Sequence, residues 1–164
     1  MIYRLDGALK DALKEGPEAG KPRAARLFGF EFNPDGYLQE KLKKELLFNW
    51  SQKGTLLITI PELDLPKDLG APSGTQSVHW NFVVTGSSLD FPTCTGQFMT
   101  TITMPYTSGK CPERIVELPV AFQSGSLVVV ALSIRYEKDG TGRVTEPCWM
   151  PGCIVEQGLG EGKS

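Results

Sequence analysis

At 164 residues the chain is long enough for one domain with a complete core and too short for two independent ones. Hydrophobic residues at 40% and charged residues at 22% exclude wholesale disorder, while 18 Gly and 12 Pro suit a fold of many turns. The net charge of −2 comes with no concentrated basic surface in either half, so the phosphate neutralisation that DNA or RNA demands has no source and no nucleic acid partner is expected.

No stretch approaches the roughly 20 apolar residues that cross a bilayer, so no membrane span is expected. Charge breaks the opening Met1–Lys10 too early for the apolar region of a signal peptide, and the chain reads as cytoplasmic. Residues 2–14 carry Ile2, Leu5, Leu9, Ala12 and Leu13 at helical spacing, with Arg4, Lys10, Asp11 and Lys14 between them, which predicts a short amphipathic N-terminal helix. It should stop at Gly16-Pro17. Glu15–Arg26 has no periodicity and reads as a linker, so residues 1–26 form a helix and linker ahead of a β domain over 27–157 and a flexible tail over 158–164.

Leu27–Phe32 sets Phe28, Phe30 and Phe32 on one face of an expected strand, stopped by Asn33-Pro34-Asp35-Gly36. Leu38, Leu42 and Leu46 fit a helix, but Leu46, Phe48 and Trp50 alternate toward the turn Ser51–Gly54, and Glu45–Ile60 is read as a hairpin. Pro61–Gly74 is too broken by Pro and Gly for regular structure and should cross from one sheet to another. Val78, Trp80, Phe82 and Val84 then alternate with Ser77, His79 and Asn81, one dry face against one wet face. Phe98, Thr100, Ile102 and Met104 repeat the pattern, as do Val116, Leu118, Val120 and Phe122, and Pro119 marks that last strand as an edge or an interruption. The clearest run is Val128, Val130, Leu132, Ile134 and Tyr136, a central strand closing on the turn Lys138–Gly142. Arg143–Trp149 and Cys153–Val155 are shorter extended pieces. Seven or eight such strands predict a mainly β chain, a two-sheet antiparallel β-sandwich of the immunoglobulin or fibronectin type with a short N-terminal helix.

Chemistry-bearing patterns are sparse. A strand over Gly96–Pro105 followed by a hairpin to Cys111 leaves Cys94 about 30 Å from Cys111, too far for a disulfide. Cys148 and Cys153 flank Trp149-Met150-Pro151-Gly152 and are close enough to meet across a turn, although cytosolic thiols stay reduced. Zinc favours two close ligand pairs, and the sole histidine, His79, lies on another strand, so no metal is expected. Gly162-Lys163-Ser164 lacks the preceding glycine and following helix of a phosphate loop, and no cofactor is expected. His79 has Ser77 and Asn81 beside it by alternation, with no carboxylate to orient it, so no catalytic residue is assigned. Glu62, Asp64 and Asp68 read as a solvated connector, because Leu63, Leu65 and Pro66 interrupt any calcium loop. Trp50, Trp80 and Phe82 belong to apolar alternating faces and are assigned to the core. Tyr106 and Trp149 sit beside Pro-bearing turns and are the candidate interaction residues.

Gly29-Phe30-Glu31-Phe32-Asn33, Ala71-Pro72-Ser73-Gly74-Thr75 with a following His-aromatic pair, Leu89-Asp90-Phe91, and Ser133-Ile134-Arg135-Tyr136 before a Gly-bearing turn occur in a familiar order. In spacing over about residues 5–156 the chain resembles an uncharacterised family of small β-rich proteins found mainly in Bacteroidota. The resemblance implies a non-enzymatic β domain. Members of that family carry a further N-terminal region before the equivalent of Ala8-Leu9-Lys10-Asp11, where this chain nearly begins.

These readings converge on a non-catalytic β protein acting through protein–protein contacts, with a protein partner or a homo-oligomer, as a structural subunit of a larger assembly. The alternative is a module binding carbohydrate or a small ligand through Tyr106, Trp149 and the polar loop Thr93–Gly96.

Overall fold

The computed structural model describes residues 27–51, 54–87, 94–107, 109–120, 122, 126–138 and 142–159. The helix expected over residues 2–14 and its linker lie outside the described residues. A four-residue helix α1 (Leu38–Lys41) precedes β1 (Leu47–Ser51) and β2 (Thr55–Ile60), which pair antiparallel as the expected hairpin. Gly54 closes the turn at φ +73°, a backbone state open to glycine at low cost. The chain continues through β3 (Leu63–Leu65), β4 (Thr75–Ser87), β5 (Cys94–Pro105), β6 (Gly109–Cys111), β7 (Arg114–Pro119), β8 (Leu127–Lys138), β9 (Gly142–Arg143) and β10 (Gly152–Leu159). The fold is mainly β.

Among the described residues every pairing is antiparallel, and the strands form three sheets. One has the order β1-β2-β7, a second runs β10-β8-β4-β5 with β9 paired to β8, and β3 pairs with β6. Strands β4 and β8 are the long central pair. Val78, Trp80, Phe82 and Val84 of β4, with Val130, Leu132, Ile134 and Tyr136 of β8, are buried to 1% exposure or less, because alternation sends all of them to one side of the sheet. Leu56, Ile58 and Ile60 of β2 and Leu118 of β7 join them, so the inward faces of the two larger sheets share one core. Full burial of each such side chain contributes about 1.5–3 kcal/mol. Pro119 ends β7 at the edge of its sheet, where its missing N–H costs no ladder bond.

Several expectations are corrected. Leu27–Phe32 is not a strand: Phe30 N bonds Leu27 O in a turn, and Glu31 then makes one bridge to Cys153. Its apolar residues instead cover the far side of the five-stranded sheet, where Leu27, Leu127, Val129 and Ile154 form a second small core with Phe30 and Phe32 against it. Pro61–Gly74 does cross between sheets, but it contains β3, whose partner β6 prevents the simple hairpin from β5 to Cys111. Pro147–Trp149 is a 3-10 turn rather than an extended piece, and β10 runs on through Gly158, which pairs with Val128, into the segment read as tail. Trp50 is 38% exposed instead of core, since it stands at the rim of the sheets, next to Gly158.

Candidate functional site

Side chains of β4, β5 and β8 that do not enter the core meet on the outer face of the five-stranded sheet. The register sets His79 between Thr103 and Arg135, Asn81 between Thr101 and Ser133, and Ser77 beside Glu137. Sequence alternation offered His79 no carboxylate, yet Glu137 Oε2 lies 3.1 Å from its Nε2, supplied across the sheet by a strand 58 residues away in sequence. Thr103 Oγ1 lies 2.9 Å from Nδ1, and Ser77 Oγ donates to Glu137 at 3.1 Å. With the Nε2 proton given to Glu137, Nδ1 accepts the Thr103 hydroxyl. Bonds from His79 and Ser77 hold the Glu137 carboxyl below its usual range.

A hydroxyl and a carboxylate thus occupy opposite ring nitrogens, the connectivity of a relay. The setting differs from that of a relay, because the His79 and Glu137 side chains are 28% and 52% exposed and water competes for every bond. Ser77 shares Nε2 with Glu137 at 3.3 Å and gives its proton to the carboxylate, so it is not poised as a nucleophile.

Beside this cluster a shallow concavity of about 400 Å³ is lined by His79, Asn81, Thr101, Arg135, Glu137 and Arg143. Thr101 donates to Asn81 Oδ1 at 2.9 Å, so these two groups satisfy each other. Among the described residues neither Arg135 nor Arg143 has a carboxylate partner.

The three-stranded sheet presents a different outer face. Leu47, Thr59 and Ile115 form one cross-strand row, and Asn49, Leu57 and Glu117 the next. Leu47 is 63% and Ile115 62% exposed, with Leu57 half-buried between their strands. Contiguous apolar side chains left in water on a sheet face mark a contact surface more often than scattered ones do. Alternation gives no signal for this face, because Leu47, Leu57 and Ile115 become neighbours only through the register of β1, β2 and β7.

The two aromatics singled out from sequence lie elsewhere and are engaged within the fold. Tyr106 OH donates to Leu69 O at 2.7 Å, and Tyr136 OH to Gly70 O at 2.8 Å. Trp149 meets Tyr136 edge to face at 5.9 Å between centroids, and the Lys41 ammonium sits 3.9 Å over its ring. The pair therefore fastens Leu69-Gly70 and α1 to the central sheet. Asp68 in that segment is buried rather than solvated: its Oδ2 accepts from Asp64 N at 2.8 Å, with Lys44 at 3.9 Å, while Glu62 pairs with Lys110 at 2.7 Å.

Cys111, Cys148 and Cys153 are free, so Cys148 and Cys153 are not bridged. Burial, and then the charge of Glu31, push the Cys153 thiol up to about 12. Among the described residues no three His, Cys, Asp or Glu side chains are grouped to hold a metal ion, and no helix is long and apolar enough to cross a membrane. No family model, curated protein or solved structure matches the chain.

Proposed function

We propose that this protein is a two-sheet β-sandwich of the immunoglobulin or fibronectin type that works without catalysis, by contact with a second copy of itself. The observation that carries the reading is that, among the described residues, Leu47 and Ile115 stand exposed with half-buried Leu57 diagonal to both on the outer face of β1, β2 and β7. The core shared by the two larger sheets supports the sandwich. The exposure of His79 and Glu137 to competing water supports a role without catalysis, and the free thiols of Cys111, Cys148 and Cys153 support a reducing, cytoplasmic setting.

A second copy fits because the face is self-complementary. Leu47 and Ile115 flank Thr59 on opposite sides, and Asn49 and Glu117 flank Leu57. A two-fold axis through the middle strand β2 brings Leu47 onto the partner copy's isoleucine and Asn49 onto its carboxylate, as an isologous interface requires. Sedimentation equilibrium of the full chain at increasing concentration tests this. Wild type is expected to dimerise and Ile115→Asp to stay monomeric while keeping a cooperative unfolding transition that no longer depends on protein concentration. A wild type that remains monomeric at every concentration, or a variant that dimerises as well as wild type, overturns the reading.

A further inference from the structure

Arg135 and Arg143 on the opposite sheet are without a carboxylate partner among the described residues. Arg135 projects from the exposed side of β8, and Arg143 stands beside Glu137 in the β8–β9 pairing. Residues diagonal to one another across a strand pair lie about 7–8 Å apart at Cα, within reach of one ligand for two long side chains. Both line the same concavity. Glu137 stands between them and stays an anion, since the bonds it accepts from His79 and Ser77 favour its ionised form, but it makes no ion pair with either guanidinium.

A guanidinium is a planar fork whose matching partner is an oxyanion, and two forks left open at one depression favour an anionic ligand. The surroundings narrow the class. A second depression of about 520 Å³ adjoins the first across Glu137 and is lined by Gln76, Ser77, Thr103 and Lys138. Together they make an open track on which hydroxyls and amides alternate with apolar carbon of Tyr136 and Pro105, with cations at Arg135, Arg143 and Lys138 and one carboxylate, Glu137, between them. Neither depression contains the deep apolar pocket that anchors a peptide side chain, and the site lies on a sheet face, where strand addition does not occur. An extended chain carrying both hydroxyls and carboxylates fits this track.

We propose that the outer face of the five-stranded sheet binds an acidic saccharide, with uronate carboxylates held by Arg135 and Arg143 and sugar hydroxyls donating to the oxygens of Ser77, Thr101 and Thr103, whose own protons are taken up within the sheet. The site is independent of the dimer face and deepens the carbohydrate alternative at a place other than Tyr106 and Trp149. Isothermal titration of the full chain with trigalacturonate tests it, alongside neutral galactotriose and a triglutamate peptide of equal charge. Saturable binding of trigalacturonate alone is expected, weakened about tenfold or more in Arg135→Gln and in Arg143→Gln. Arg135→Lys, which keeps the charge and loses the fork, should also bind more weakly. Three results overturn the proposal: no saturable binding, equal affinity in folded Arg→Gln variants, or triglutamate binding as tightly as the saccharide. Thermal unfolding of each variant at the wild-type temperature establishes that a lost signal belongs to the site.

Discussion

Glu31 shows how one side chain couples the chain's first described segment to its last strand. Its Oε1 accepts the Leu38 N–H at 3.0 Å, while Oε2 is buried without a partner. Burial raises its pKa above the usual carboxylate value, against the lowering effect of the Leu38 N–H bond and the neighbouring Cys153 thiol. The folded protein therefore keeps the Glu31 proton over a window in which the unfolded chain has lost it. Stability falls as pH rises through that window, from the ordinary value of 4.5 toward the raised one. Glu31→Gln keeps an oxygen for Leu38 N and removes the charge, so it is expected to raise the urea midpoint at pH 7.5 and to lose that advantage near pH 4. A gap between variant and wild type that is the same at both pH values would show that no proton is linked to folding here. None of this is visible in Gly29-Phe30-Glu31-Phe32, where alternation merely sets Glu31 opposite the phenylalanines; its burial depends on Cys153, more than a hundred residues away.

At the scale of elements, alternation reached furthest where a strand has one dry face. Val78 to Val84 and Val128 to Tyr136 announce β4 and β8 because the core side is apolar at every second position. The same logic fails for β3, three residues between prolines, and for the turn at Leu27, because pairing with distant β6 and β10 defines them rather than any local period. The candidate site was hidden for a related reason. His79 was visible as the lone histidine, but Glu137, Thr103 and Arg135 become its neighbours only through the register of three strands. The tyrosine pair gives this element-level assembly a measurable strength. Tyr136 is fully buried and its hydroxyl, its pKa raised by burial, holds the Gly70 carbonyl. Tyr136→Phe leaves that carbonyl unmet and is expected to cost about 1 kcal/mol in urea unfolding. Tyr106→Phe should cost less, since its half-exposed surroundings let water replace the bond to Leu69. Equal losses would mean that burial does not set the strength of these two bonds.

For the molecule as a whole, what matters is whether the two larger sheets stand or fall together. Among the described residues they share no strand pairing, so packed side chains, together with the segments that connect the strands, hold them together. Leu56 of the three-stranded sheet and Ile134 of the five-stranded sheet are both fully buried in the common cluster. Truncation of a large core residue removes its transfer free energy and leaves a cavity, typically about 2–5 kcal/mol for leucine or isoleucine to alanine. Leu56→Ala and Ile134→Ala are therefore each expected to lower the midpoint of one and the same urea transition by such an amount. Ile115→Ala, on the outer face, should move the monomer's midpoint by no more than about 0.5 kcal/mol. Tryptophan fluorescence and far-ultraviolet circular dichroism give two probes of the transition, one weighted to Trp80 in the core and the other to the strands throughout. Coincident curves in all three variants would establish a single cooperative unit. A Leu56→Ala protein whose three-stranded sheet unfolds first, leaving Trp80 in its native environment, would show instead that the five-stranded sheet is stable by itself and that the common core contributes little to holding the layers together.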